Sequence, residues 1–321
     1  MYYPDNNATI KLTGSPSLLM NNLSSSKADS LCYVRLDEVY LAKLSGECVK
    51  LPISKSKIYQ ASFIDLNGKC VLAVLSNLGV QVWSMYGDSM MFYFPLNSLL
   101  GFEGEEEKFV RGITAMRDCF GIGCSTGNIL IFGCKDGGNF PLVHNLESEK
   151  AAITCLTSSS SLLVAANDLG KLFGYAINDA FEQTLSFPGY GSPCTTLCMR
   201  ESLLLAGYAS GHIRAFRTDI LELAFEITAH TRAVTGLSLN YLNWGERGVE
   251  RGSELASCSA DQMLHVWALP DFRTNASCRA SLLYTGLLEN KMCTGVAFLS
   301  GERICVASYD EEEIMIFKKI K

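Results

Sequence analysis

His230, Ser257 and Asp261 are the residue types of a hydrolytic triad. An imidazole held between a carboxylate and a hydroxyl is the arrangement that activates a serine nucleophile. The same groups also make a structural network, in which His230 bridges the Asp261 carboxylate and the Ser257 hydroxyl. Trp267 adds an indole N–H that needs an acceptor once buried. The other histidines, His144, His212 and His265, are scattered along the chain and offer little general-base or metal-ligand chemistry. The sequence therefore predicts a structural network of His230, Ser257, Asp261 and Trp267, with no catalytic residue, no metal and no cofactor.

Thiols are the other plentiful reactive groups. The 13 cysteines contain no C-x-x-C pair, and most lie in apolar runs, as at Cys155, Cys198, Cys258 and Cys305. There the side chain packs as a small hydrophobe. An odd count of this kind predicts reduced core thiols in a cytosolic protein. The closest pairs, Cys119 with Cys124 and Cys194 with Cys198, lack the histidines of a zinc site. Glycosylation sequons stand at Asn7, Asn22 and Asn275, and matter only in a secreted chain. The first residues have neither the basic nor the apolar region of a signal peptide, and no window reaches transmembrane length. With 27 basic against 33 acidic groups the formal charge is −6, which disfavours sequence-independent binding to nucleic acid.

To bring His230, Ser257 and Asp261 together the chain needs a hairpin and a loop packed beside it. Leu255-Ala-Ser-Cys-Ser-Ala-Asp-Gln-Met-Leu-His-Val-Trp-Ala-Leu269 alternates as two strands joined by a tight turn at Ala260 to Gln262, with Asp261 on the turn. The same pattern recurs from Ile58 to the end of the chain. Aligned on the turn, the units place an aromatic at one third-strand position: Trp83, Phe132, Tyr175, Phe216, Trp267 and Phe317. Their spacing is near the roughly 40–45 residues of a WD repeat, and the longer intervals contain insertions at 101–108 and 241–253.

Six legible units and an irregular opening one, with strand candidates at 9–12, 31–34 and 39–44, make seven. Residues 24–26 and 158–161 read as short polar turns. The last unit stops at its third strand, so its fourth must come from elsewhere, and residues 9–12 are the free candidate. The pattern resembles the WD-repeat family. It predicts an all-β chain folded as a single seven-bladed WD-repeat β-propeller over residues 1–321, closed by an N-terminal strand, with no second domain.

Further segments narrow the resemblance. Leu12-Thr-Gly-Ser15, Asn21-Asn-Leu-Ser24, Pro188-Gly-Tyr-Gly-Ser-Pro-Cys194, Ala206-Gly-Tyr208 and Ala229-His-Thr-Arg-Ala233, continuing to His265-Val-Trp267, are similar to the WD repeat-containing protein 54 family. The similarity spans most of the chain and is densest between residues 188 and 269. It implies a non-enzymatic scaffold for other proteins, cytoplasmic and vesicle-associated, able to self-associate. It brings no catalytic or ligand-binding residues. The full His-Ser-Asp-Trp set occurs in one unit only. No Trp-Asp dipeptide exists, so the Trp-Asp-x-Arg signature of ubiquitin-ligase substrate receptors is absent.

Two groups of residues are candidates for partner binding. Alignment of the first strands puts Arg111, Arg232 and Lys291 at one position just before the strand, with Lys57 and Lys150 one residue earlier. These five form a basic collar around one face, suited to an acidic peptide, a phosphorylated segment or a lipid phosphate; the alternative is a solvated collar with no partner. In residues 241–253, Trp244 stands beside Arg247 and Arg251, an aromatic among arginines as at interface anchors; alternatively, Trp244 packs over its own blade. The leading functional expectation is a protein–protein interaction scaffold. The alternatives are a membrane-surface adaptor for acidic head groups and an enzyme built on the propeller channel.

Overall fold

The structure, a computed structural model, describes residues 2–5, 8–99, 107–135, 139–240, 253–270, 279–300 and 302–320. Seven antiparallel sheets make up the fold, each a run of neighbouring strands meandering outward from the centre. Blade one uses Ser24–Ser25, Ser30–Arg35, Glu38–Lys43 and Cys48–Lys50, and blade two Ile58–Leu66, Lys69–Ser76, Gly79–Ser84 and Met90–Pro95. Blades three to six have innermost strands Val110–Met116, Ile153–Ser158, Cys194–Arg200 and Val234–Asn240, each followed by three more. Blade seven has Cys293–Leu299, Arg303–Ser308 and Glu313–Lys319.

Burial explains the composition of each strand. A second strand such as Leu203–Tyr208 lies between two neighbouring sheets and is buried along almost its whole length, so it reads as a continuous apolar run. An outermost strand such as Glu222–Thr228 faces solvent along much of its length and mixes Glu and Thr with apolar residues. The recurring aromatics share one register position, opposite Leu72, Phe120, Leu163, Leu204, Leu255 and Ile304 of the second strands. All six are buried between blades.

Blade one departs from the expectation. Ser24–Ser25, expected to be a turn, is its innermost strand, held by hydrogen bonds to Ser24 Oγ from the Phe63 N–H (3.1 Å) and the Ser62 hydroxyl (3.2 Å). Two polar residues carry no strand periodicity, which is why the sequence conceals it. Opposite Leu31 stands Ala42, so the aromatic marker is missing here too. Ser158 likewise ends a strand and leaves only 159–161 as the turn.

Ring closure comes from the N-terminus, in two pieces where the sequence suggested one. Ile10–Lys11, within the expected residues 9–12, pairs with Glu313 and Ile314, and Tyr2–Pro4 extends the closure against Phe317 to Lys319. Tyr2 is buried and donates to Glu254 Oε2 of blade six at 2.7 Å. Lys319 Nζ reaches Glu254 Oε1 at 2.7 Å, so the buried carboxylate has a cation and a phenol as partners. The closing strand is thus keyed into a neighbouring blade as well as zipped onto its own. Close approach of the innermost strands sets the ring size. A Cβ on Gly295 would lie 2.6 Å from the Leu23 amide nitrogen, so only glycine fits between blades seven and one.

Candidate interaction surfaces around the central channel

The hairpin between Glu254–Ser259 and Met263–Ala268 brings the triad-like residues together. His230 Nδ1 is 3.2 Å from both Asp261 oxygens, and Nε2 is 2.9 Å from Ser257 Oγ. Trp267 Nε1 donates to the same hydroxyl at 3.0 Å. The Thr231 and Met263 N–H groups donate to Asp261 at 2.9 and 3.0 Å. One proton arrangement satisfies every group: His230 donates to Asp261, Ser257 donates to His230, and Trp267 donates to Ser257. Ser257 is 0% exposed, with His230 and Trp267 on either side of its hydroxyl, so no substrate carbonyl reaches it. This geometry orders a loop and a hairpin and leaves no room for a nucleophile.

Burial alone would raise the Asp261 carboxyl. The His230 hydrogen bond and the Thr231 and Met263 amides outweigh burial and lower it to about 2. His265, whose ring lies 4.7 Å from that of His230, is lowered to about 4 by burial and by His230.

At the centre of the ring, each innermost strand of blades two to seven carries a bulge near its start. The bulge positions hold Tyr59, Arg111, Thr154, Thr195, Thr235 and Thr294. The threonines cross-link the mouth of the channel: Thr195 Oγ1 donates to Val234 O at 2.6 Å, and Thr235 Oγ1 to Cys293 O at 2.8 Å, each in the next blade. Asn21 then crosses this mouth. Its N–H donates to Thr235 O at 2.7 Å and its Nδ2 to Thr195 O at 3.0 Å, with the backbone at φ 55°. Asn21 was visible in the sequence only as part of a polar stretch, and no local pattern marks it as a plug.

The basic residues predicted as a collar divide into three groups. Lys57 pairs with Glu107 at 2.8 Å, and Lys291 with Glu311 and Glu313 at 2.6 and 3.2 Å, so their charges are locally offset. Arg232 and Lys150 are exposed, with no ion pair among the described residues. Arg111 is a correction to the alignment. Val110, not Ile113, matches Val234 and Cys293 in register, which places Arg111 at the bulge inside the channel. Lys108 takes the place given to Arg111, two residues before the matched position. Beginning this strand at Gly112, when it begins at Val110, shifts the comparison by three residues.

At the other end of the channel, the hairpins joining the first two strands of blades two to five surround a concavity of ≈ 640 Å³. Asp65, Asn67, Arg117, Ser159, Met199 and Arg200 are among its lining residues. None of these was singled out from the sequence as a binding residue, and Ser159 was read only as part of a polar turn, because four hairpins distant along the chain converge there. Trp244, Arg247 and Arg251 lie outside the described residues, as does nearly all of 241–253.

Among solved structures, the fold is similar to a chain of the crystal structure of the Mitotic Checkpoint Complex, with a TM-score of 0.77 and 13% identity over 99% of this chain and 96% of that one. It is also similar to the WD40 beta propeller domain of Doa1, at a TM-score of 0.71 and 13% identity over 100% and 98% of the two chains. Among curated proteins, WD repeat-containing protein 54 of Homo sapiens is 25% identical, over 97% of this chain and 98% of its own. The family model WDR54 matches residues 7–320. With nearly the whole ring inside that match, this chain belongs to the WDR54 family of WD-repeat propellers.

Proposed function

We propose that this propeller is a non-enzymatic protein-interaction scaffold whose partner seats a segment in the concavity between the hairpins of blades two to five. The concavity carries this reading, because four rigid sheets present it and its lining mixes hydroxyls, both charges and methionine. Such a lining suits a peptide with polar and apolar side chains. Cytoplasmic residence, with recruitment to vesicles through a partner, belongs to the same reading. It draws support from the free cysteines of the described residues, as expected in a reducing compartment.

A second reading uses the opposite face. Arg232 and Lys150, exposed and without ion pairs among the described residues, favour an acidic or phosphorylated segment or an acidic lipid head group there. Affinity capture with two folded variants separates the faces. Ser159→Arg fills the concavity, whereas Lys150→Glu with Arg232→Glu reverses the free charges. Loss of partners with the first alone supports the concavity, and loss with the second alone transfers the site to the basic face. Full capture by both variants removes both readings.

A further inference from the structure

The concavity is lined by two arginines and two carboxylates, Arg117, Arg200, Asp65 and Glu201, and all but Arg117 have partners. Asp65 is bridged to Lys27, Arg200 donates to the Ser253 hydroxyl, and Glu201 is likewise engaged. Arg117 is exposed, and its side chain has no hydrogen bond or ion pair among the described residues. Asp118, its neighbour in the chain, bonds elsewhere. The Asn67 amide, oriented by its acceptors, donates to Asp118 Oδ1 at 3.1 Å and to Arg117 O at 2.6 Å. Asn67 thus ties the hairpin of blade two to that of blade three, and the Arg117 charge stays uncompensated.

The turn of blade four is fastened beside that hairpin. Ser158 Oγ donates to Ala115 O at 2.7 Å and accepts from Thr114 Oγ1 at 2.8 Å, which holds the turn against the strand that ends at Met116. Ser159 Oγ accepts the Ser161 and Leu162 N–H groups at 3.3 and 3.1 Å, and its own proton has no acceptor among the described residues. The hydroxyl and the N–H of Ser160 are without partners there as well. This side of the concavity therefore offers a cation with neutral donors beside it, a set that calls for an anion. Met116 and Met199 line the same concavity from the cores between blades, and their thioethers adapt to apolar groups of different shape.

We propose that this concavity binds acidic peptide segments: Arg117, Ser159 and Ser160 take a carboxylate, and an apolar side chain close to it in the peptide rests on Met116 and Met199. The site is that of the scaffold reading, on which this assignment rests. A single available cation decides between anions. A phosphate carries close to two negative charges and is recognised by clusters of arginine, whereas one guanidinium matches the single charge and two oxygens of a carboxylate. Four sheets hold these groups in place before binding, so little freedom is lost when a segment docks. The chain's own charge of −6 repels acidic segments at a distance, so recognition depends on close contact inside the concavity.

The test selects binders for the full chain from a displayed library of random peptides and measures the affinities of the enriched ones. The expected consensus has Asp or Glu within a few residues of Leu, Met or Phe. Replacing that acid by its amide in the peptide should weaken binding by about tenfold, and Arg117→Gln should weaken the acidic peptide equally while leaving the amide peptide unchanged. Selection on Arg117→Glu should turn the consensus from acidic to basic. Ser159→Trp, which fills the concavity without adding charge, should lose all of these peptides, each variant first shown to melt like the parent. The peptide-side change needs no protein variant and stands where one fails to fold. No enrichment, a consensus without an acid, an unchanged consensus in folded Arg117→Glu, or a phosphoserine peptide that binds where its glutamate form does not would each overturn the proposal. Ser159→Trp separates the two claims. If it abolishes binding while the Arg117 variants do not, the concavity is the seat and only the acidic assignment falls. If it binds every peptide as before, the concavity reading falls and the proposal with it.

Discussion

Asp261 and His265 both contribute to how this fold answers acid, each through a lowered pKa. For Asp261 the folded value is about 2 against an ordinary 3.8, so its contribution is complete above about 4 and is lost as pH falls towards 2. For His265 the folded value is about 4 against an ordinary 6.5, so the part of the stability that rests on its neutral form is complete above 6.5 and is lost as pH falls to 4. Urea midpoints measured from pH 7 to pH 2 should therefore fall in two stages. His265→Gln should weaken the upper stage and Asp261→Asn the lower. At neutral pH, Asp261→Ala should cost about 1–3 kcal/mol, because it strands His230 and two amide donors. Chemical denaturation checks this, and an unchanged midpoint would detach Asp261 from the fold. His230, Ser257, Asp261 and Trp267 were legible in the sequence because polar types rarely sit inside apolar strands without a partner. Arg111 was legible as a cation but not as a channel residue.

Between strands, stability depends on close approach and on a key. Gly295→Ala would push a methyl group into the Leu23 backbone and should cost about 1–3 kcal/mol through overpacking. Tyr2→Phe keeps the ring but removes a hydrogen bond to a buried carboxylate, and should cost about 1.5–3 kcal/mol. Thermal melting of the two variants reads both. Removing residues 1–13 should do far more, since blade seven then exposes the edge of Glu313–Lys319 and loses the Tyr2 key. A large drop in melting temperature or loss of solubility is expected. A truncated chain that melts like the full one would contradict closure by the N-terminus. The sequence revealed the need for a closing strand, because the last unit stops at its third, and it located Ile10 within it. Tyr2–Pro4 and Ser24–Ser25 stayed hidden, because strands of two or three residues owe their existence to partners far along the chain.

Seen whole, the ring divides its polar residues by task. Those buried within or between blades, such as His230, Ser257 and Glu254, hold sheets and loops in place. Hydrophobic repetition made six of the seven blades readable, whereas the surfaces at the two ends of the channel arise only when distant hairpins meet. The concavity is the clearest case, since Asp65 and Arg200 come together through the circular arrangement alone. The most direct test of the scaffold account measures melting temperature and partner capture side by side for Asp261→Ala and Ser159→Arg. The account predicts that Asp261→Ala lowers both in parallel, whereas Ser159→Arg loses its partners with its melting temperature unchanged. Capture lost by well-folded Asp261→Ala and retained by Ser159→Arg would contradict it.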